Sequence, residues 1–245
     1  MSAVDVRAFT VGPVQENTYV VYAASQDAVG QTGSRRAVIV DPGDEPERLL
    51  RGISDLGVQI EAILLTHCHF DHIGAVAPIA RETGAPVYCP EIERPLLTDV
   101  MSWVPPGFGP FDSHDPEHTL AGGEHLSLAG MEIDVLFTPG HSPGHLTYAI
   151  SAPEPGGGEA SAVLLSGDVL FEGSVGRVDL PGGDWPTLER SIGQLLRAFP
   201  PQTVIHPGHM GSTTLGRERD TNPFLEELRV RVPSTTAAPT ASPGS

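Results

Sequence analysis

The sequence predicts a mixed α/β (α+β) fold in which two sheets pack together with helices on the outside. Three observations lead there. Short apolar runs of strand composition recur along the chain, stretches with helical spacing lie between them, and both halves, roughly residues 4–124 and 125–231, show that mixture. A chain of 245 residues can bury a substantial core, and one domain over residues 1–231 is expected.

Residues 4–11 and 18–22 read as paired strands joined by a turn at Gly12-Pro13, and residues 37–40 as a third strand. Residues 23–36, polar and glycine-rich, read as an exposed loop. Asp41-Pro42-Gly43 closes the third strand, and residues 45–56 carry apolar side chains at 49, 50, 53 and 56, the spacing of an amphipathic helix. A strand at 62–65, a helix at 75–83 and a strand at 86–88 repeat the alternation. Residues 99–124, with Trp103, Pro105-Pro106, Gly107 and Gly109, read as a loop outside the core, either a flap over a pocket or a surface connection. His114, His118 and His125 lie in or beside it and are expected to be solvated.

The second half predicts strands at 131–138, 146–150, 163–166 and 203–205, with a surface hairpin loop at 152–161. Residues 185–199 read as a helix with Asp184 as N-cap and Pro186 in the first turn, and 223–230 as a final helix. Residues 232–245 are almost free of apolar side chains able to pack, so a disordered tail is expected.

Composition narrows the function. Fourteen Lys and Arg against 31 Asp and Glu give a formal net charge of -17, which disfavours a phosphate-backbone partner, so no nucleic acid is expected. No apolar run approaches membrane-spanning length and the first residues lack a signal-peptide pattern, so the expectation is a cytoplasmic protein with no membrane partner. The two cysteines, Cys68 and Cys89, have no spacing that suggests a disulfide framework, which fits a reducing compartment.

The chemistry concentrates in Thr66-His67-Cys68-His69-Phe70-Asp71-His72, directly after the apolar run 62–65. Four metal-ligand side chains within six residues at a strand end lose little entropy on converging, and imidazole with carboxylate suits zinc and similar divalent ions. Three further groups follow strands in the same way: His141 in Thr138-Pro-Gly-His-Ser-Pro-Gly-His145, Asp168 in Ser166-Gly-Asp168, and His209 in His206-Pro-Gly-His209. Their glycines permit tight turns, so these loops can gather at one edge of a sandwich. Cys68 reads as a spacer pointing away from the ligands, and no nucleophilic Ser or Cys motif is evident.

With these motifs in order, the chain resembles the metallo-β-lactamase superfamily over about residues 5–230. The resemblance implies a four-layer αβ/βα sandwich with a dinuclear site at one edge. His67, His69 and His141 would hold one ion, Asp71, His72 and His209 the other, and Asp168 would bridge both. Zinc is the first expectation for the two divalent ions, with iron or manganese as alternatives.

Gly167-Asp-Val-Leu-Phe-Glu-Gly-Ser-Val-Gly-Arg-Val-Asp179, Gly182-Gly183-Asp184 and Glu218-Arg-Asp-Thr-Asn-Pro-Phe224 are similar to the compact single-domain glyoxalase II group, the hydroxyacylglutathione hydrolases. That implies a thioesterase in which a hydroxide shared by the ions, beside Asp71 and Asp168, attacks an S-lactoyl or related thioester. Arg177 would meet the thiol's carboxylate and Asp179 would lie beside it; alternatively Arg177 forms a salt bridge to Asp179 or Asp184. Asp41 and His145 would orient ligand imidazoles or cap turns. The two-domain glyoxalase II enzymes carry a C-terminal helical domain, whereas the residues after 223 read here as a short helix and a disordered tail, so either glutathione or another small thiol is expected. A persulfide dioxygenase with a single iron, a lactonase or β-lactam hydrolase, and a non-catalytic metal-binding protein are the competing readings. A small-molecule thioester partner and a monomeric or homodimeric state complete the expectations.

Overall fold

The protein is described by a computed structural model, which covers residues 3–24, 34–153, 162–226 and 228. The expected loops at 23–36 and 152–161 and the tail at 232–245 lie largely or wholly outside the described residues.

The first sheet has strands β1 (Val4–Val11), β2 (Glu16–Ala23), β3 (Arg35–Val40), β4 (Val58–Leu64), β5 (Val87–Pro90) and β6 (His118–Leu120), hydrogen-bonded in that order. β1, β2 and β3 are antiparallel, whereas β3, β4, β5 and β6 run parallel. The second sheet contains β7 (His125–Leu128), β8 (Met131–Phe137), β9 (Leu146–Ser151), β10 (Val163–Gly167), β13 (Val204–Pro207) and β14 (Thr213–Thr214), in the order β14-β13-β10-β9-β8-β7. A small hairpin of β11 (Leu170–Phe171) and β12 (Ser174–Val175) follows β10. The expected halves therefore correspond to the two sheets.

Burial follows the period of two that strands impose. On β8, Met131, Ile133 and Val135 are buried while Glu132 and Asp134 are exposed. Those inward residues meet Val21, Val38, Val40 and Leu64 between the sheets. The other face of the first sheet packs Ile39, Ile63 and Val87 against Leu49 and Ile53 of α1 (Pro46–Leu56) and Val76 and Ile79 of α3 (Val76–Thr83). The other face of the second packs Ala149, Leu164 and Ile205 against Leu188, Ile192 and Leu195 of α5 (Trp185–Ala198), with α6 (Leu215–Thr221) beside it. Helix, sheet, sheet, helix is thus the layer order, because each sheet buries both faces. α5 starts where expected: the Asp184 carboxylate accepts from Thr187 N at 2.9 Å.

Several expectations need correction. β4 begins at Val58, since Gln59 and Glu61 on its wetter face interrupt the apolar run. Residues 99–124 are not a loop outside the core: Val100 is buried, Val104 and Phe111 pack on the outer core, and β6 supplies a sixth strand. α4 (Arg94–Thr98) and α6 were not expected. They are short, so helical periodicity barely registers in them. Of the expected helix at 223–230, a 3₁₀ turn at Pro223–Leu225 is described.

His118 and His125 are exposed and His114 half-buried. His125 is not merely solvated, since its ring nitrogens contact Asp134 Oδ1 at 2.7 Å and Glu132 Oε2 at 2.8 Å. Hydrogen bonding to Asp134 and then Glu132 raises its pKa. A raised value means that the stabilisation is complete below the unfolded value of about 6.5 and fades as pH climbs through the folded value. The thermal midpoint lost in His125→Gln should accordingly be larger at pH 6 than at pH 9; equal losses would contradict the pairing.

Candidate metal centre

The loop 66–72 leaves β4 between the sheets, and both sheets hold it. Leu146 N donates to Thr66 O at 2.8 Å, and the Tyr148 hydroxyl donates to Leu65 O at 2.7 Å. α2 (Phe70–Ile73) turns immediately afterwards and carries Asp71 and His72 inward. His141 lies on the turn between β8 and β9, Asp168 on the turn after β10, and His209 just beyond β13. The first sheet reaches across to that last turn: Asn17 Nδ2 donates to Met210 O at 2.8 Å and the Tyr19 hydroxyl to Pro207 O at 2.8 Å.

All seven residues singled out from the sequence come together. His67, His69 and His141 form one group able to hold a metal ion and Asp71, His72 and His209 a second. His69 Nδ1 lies 3.1 Å from His67 Nε2 and 2.8 Å from His141 Nε2. His209 Nε2 lies 3.3 Å from Asp71 Oδ2. Asp168 stands between the groups, with Oδ2 3.5 Å from His141 Nε2 and 3.6 Å from His209 Nε2, and Oδ1 3.5 Å from His72 Nε2.

The remaining ring nitrogens fix which lone pairs face inward. His72 Nδ1 is 3.1 Å from Asp41 Oδ2, His141 Nδ1 is 2.7 Å from Arg177 O, and His209 Nδ1 is 3.3 Å from Gln15 O. Each of those oxygens only accepts, so each Nδ1 carries a proton and each Nε2 is the nitrogen turned towards the cluster, where an ion would take its lone pair in place of any proton. Thr66 Oγ1 donates to Asp41 Oδ2 at 2.6 Å and so accepts from His67 Nδ1, 3.1 Å away, which leaves His67 Nε2 free as well. Asp41 thus orients two imidazoles, one directly and one through Thr66. A third group of ligand type, Asp41 with His67 and His72, is explained by this bracing, because Asp41 is already occupied by its donors. Asp41→Asn should weaken metal binding by about 10- to 100-fold in competition with a chromophoric chelator, with the far-UV spectrum retained. Unchanged affinity would rule the bracing out.

His145 acts on the opposite side of the cluster. It accepts from Asp168 N at Nε2, 3.1 Å away, faces Thr138 Oγ1 through Nδ1 at 3.1 Å, and stacks on His67. Gly208 is required where the two halves meet, since a Cβ there would press on Asp168 Oδ1 and lie 2.6 Å from His72 Cε1.

The electrostatics suit a cation. Burial, then His72 and His69, hold His67 well below the ordinary imidazole value; burial, then His141, bring His69 down to about 4. Both are neutral near pH 7, as ligands must be. Burial also pushes His72 down, but Asp168, Asp71 and Asp41 outweigh it and leave it raised. Asp71 shows the complement: His72 and His209 overcome its burial and lower it. His72 Nε2 and Asp168 Oδ1 are buried without a hydrogen-bond partner, although they face each other. Such orphaned atoms are costly unless something cationic satisfies them, so the donor set fits a divalent ion.

Other residues had no legible signal. Glu93, fully buried, accepts from Cys68 N at 2.6 Å, Gly144 N at 2.9 Å and the Ser142 hydroxyl. It thereby ties the loop of His67 and His69 to the loop of His141. Glu16 is buried beneath His72, its Oε1 3.8 Å from Nδ1, and burial pushes its carboxyl well up. Cys68 points into the outer core, 3.5 Å from Cys89 Sγ, and burial raises its thiol. Arg177 pairs side-on with Asp179 at 2.6 and 2.7 Å, both exposed, so the salt-bridge alternative is the one observed.

Comparison with known proteins agrees with this geometry. The family description "Metallo-beta-lactamase superfamily" matches residues 11–209. Hydroxyacylglutathione hydrolase GloC of Haemophilus influenzae is 34% identical over 194 residues, spanning 78% of this chain and 88% of the relative. Among solved structures, the BLEG-1 B3 metallo-beta-lactamase is 36% identical with a TM-score of 0.77, covering 91% of this chain and 100% of that one. TTHA1623, solved in a di-iron-bound form, is 42% identical with a TM-score of 0.68, covering 90% and 100%.

Proposed function

The chain belongs to the metallo-β-lactamase superfamily of metal-dependent hydrolases, and on that footing we propose that it is a dinuclear thioesterase of the glyoxalase II type. The substrate is an S-lactoyl or similar 2-hydroxyacyl thioester of glutathione or another small thiol, and the products are the 2-hydroxy acid and the free thiol. The observation that carries the two-ion part of this reading is the facing pair His72 Nε2 and Asp168 Oδ1, neither hydrogen-bonded, where two complete ligand groups meet, and the thioester class rests on the likeness to a hydroxyacylglutathione hydrolase.

His67, His69 and His141 would hold one ion and Asp71, His72 and His209 the other, with Asp168 facing both groups. Two bound divalent ions, zinc first and iron or manganese as alternatives, supply an acidified water and polarise the substrate carbonyl. The chain's part is orientation and proton acceptance. Asp41, Thr66 and the carbonyls of Arg177 and Gln15 keep the imidazole lone pairs inward. With Asp41 occupied by its donors, Asp71 and Asp168 are the carboxylates of the cluster that would accept a proton from a water held there. A thiol leaving group has a pKa of about 8.5 and departs as thiolate, so no strong protein acid is needed. The Arg177 guanidinium, exposed at the edge of the site, can release Asp179 to meet a substrate carboxylate.

Elemental analysis combined with assay of S-D-lactoylglutathione tests the proposal. About two metal ions per chain with thioester turnover is the expected result. The likeness to a B3 enzyme favours one second reading, β-lactam hydrolysis, and turnover of a β-lactam without any of the thioester would replace the first reading with it.

A further inference from the structure

A cavity of about 280 Å³ opens beside His69, and its walls are apolar: Phe70, Ile92, Leu96, Trp103, Pro143 and Leu180. Ile92 and Trp103 line it and are 57% and 58% exposed, a cost for two large apolar side chains on so acidic a chain. Apart from His69, the charged residue lining it is Glu93, whose two oxygens are taken by the Cys68, Gly144 and Ser142 donors. No lysine or arginine lines it among the described residues. Nothing on these walls would compensate a carboxylate drawn out of water.

We propose that this cavity receives the acyl chain of the substrate, and that the chain it selects is an uncharged aliphatic or aromatic group larger than lactoyl. The proposal rests on the thioesterase reading and moves its preferred acyl group from lactoyl to a larger apolar one. The thiol half, with any carboxylates it carries, stays outside the cavity, whose lining offers no cation among the described residues to pair with them. A volume near 280 Å³ admits on the order of six to nine heavy atoms, taking ~30 Å³ for each water-sized group. In the reaction the water oxygen bonds to the acyl carbon, the C–S bond breaks, and its electron pair leaves with the thiolate, which takes up a proton; the apolar chain remains in place throughout.

The test uses the full chain at measured metal content, with acetyl, butanoyl and hexanoyl thioesters of N-acetylcysteamine, and then acetyl thioesters of thiols of increasing length. Burying each methylene should raise kcat/KM about fourfold, so hexanoyl, four methylenes longer, should exceed acetyl by roughly 200-fold. In Leu96→Trp, and independently in Ile92→Trp at an exposed lining position, the hexanoyl to acetyl ratio should fall at least tenfold. A flat acyl series in protein that turns over the acetyl thioester would overturn the proposal and leave the thioesterase reading intact, as would a rise confined to the thiol series. Absence of turnover of every thioester by metal-loaded protein would remove both.

Discussion

Asp168→Asn lowers thioester hydrolysis by on the order of 10³ and releases at least one of the two bound ions. The side chain keeps its shape, but Asp168 is the group whose oxygens lie 3.5 Å from His72 and His141 and 3.6 Å from His209. Removing its charge would take away the anion that faces both ligand groups. Stabilisation of ~4 kcal/mol lost from the transition state corresponds to about that factor in rate. The asparagine amide can donate to the inward lone pairs it meets, so the metal-free variant should remain folded, with a thermal midpoint within a few degrees of the parent. Parallel measurement of metal content, rate and metal-free midpoint checks this. Full rate with two ions bound would end the role given to Asp168, and full rate with one ion or none would end the dinuclear reading.

Glu93→Ala destabilises the metal-free protein by about 3–5 kcal/mol, because three buried donors lose their acceptor at once, each at ~1–3 kcal/mol. That is a large part of the ~5–15 kcal/mol typical of a domain. The same carboxylate is what ties the loop of His67 and His69 to the turn of His141. Whatever folds should therefore bind its first ion more weakly. Glu93→Gln, which keeps the volume and one acceptor oxygen, should fall between the parent and the alanine variant in denaturant unfolding. A loss under about 1 kcal/mol for the alanine variant would show that the tie is dispensable.

The two sites of prediction differ in how they could be found. Asp168 stands in a short Ser-Gly-Asp sequence after a strand, and the glycine with φ 46° is itself a sign of a tight, purposeful turn. His67 to His72, His141 and His209 share that signature of a polar ligand directly after an apolar run. Glu93 has no such mark. It lies among Glu91 and Arg94 near a short helix, and three of its neighbours in space are 25, 49 and 51 residues away in sequence. The residues from 99 to 124 misled for a related reason. Their glycines and prolines describe the bends faithfully, while Val100, Phe111 and β6 are recruited to the core by neighbours distant in the chain.

Sequence alone determined the two αβ halves, the strand ends that carry ligands, and the chemical type of the ligand set, since each depends on residues close together and on periodicity. Tertiary structure decided which nitrogen of each histidine faces inward, that Asp41 braces the imidazoles instead of binding beside them, that Arg177 meets Asp179, and that an apolar cavity adjoins His69. These depend on side chains brought within hydrogen-bond or van der Waals distance by the packing of two sheets. No local pattern encodes such distances.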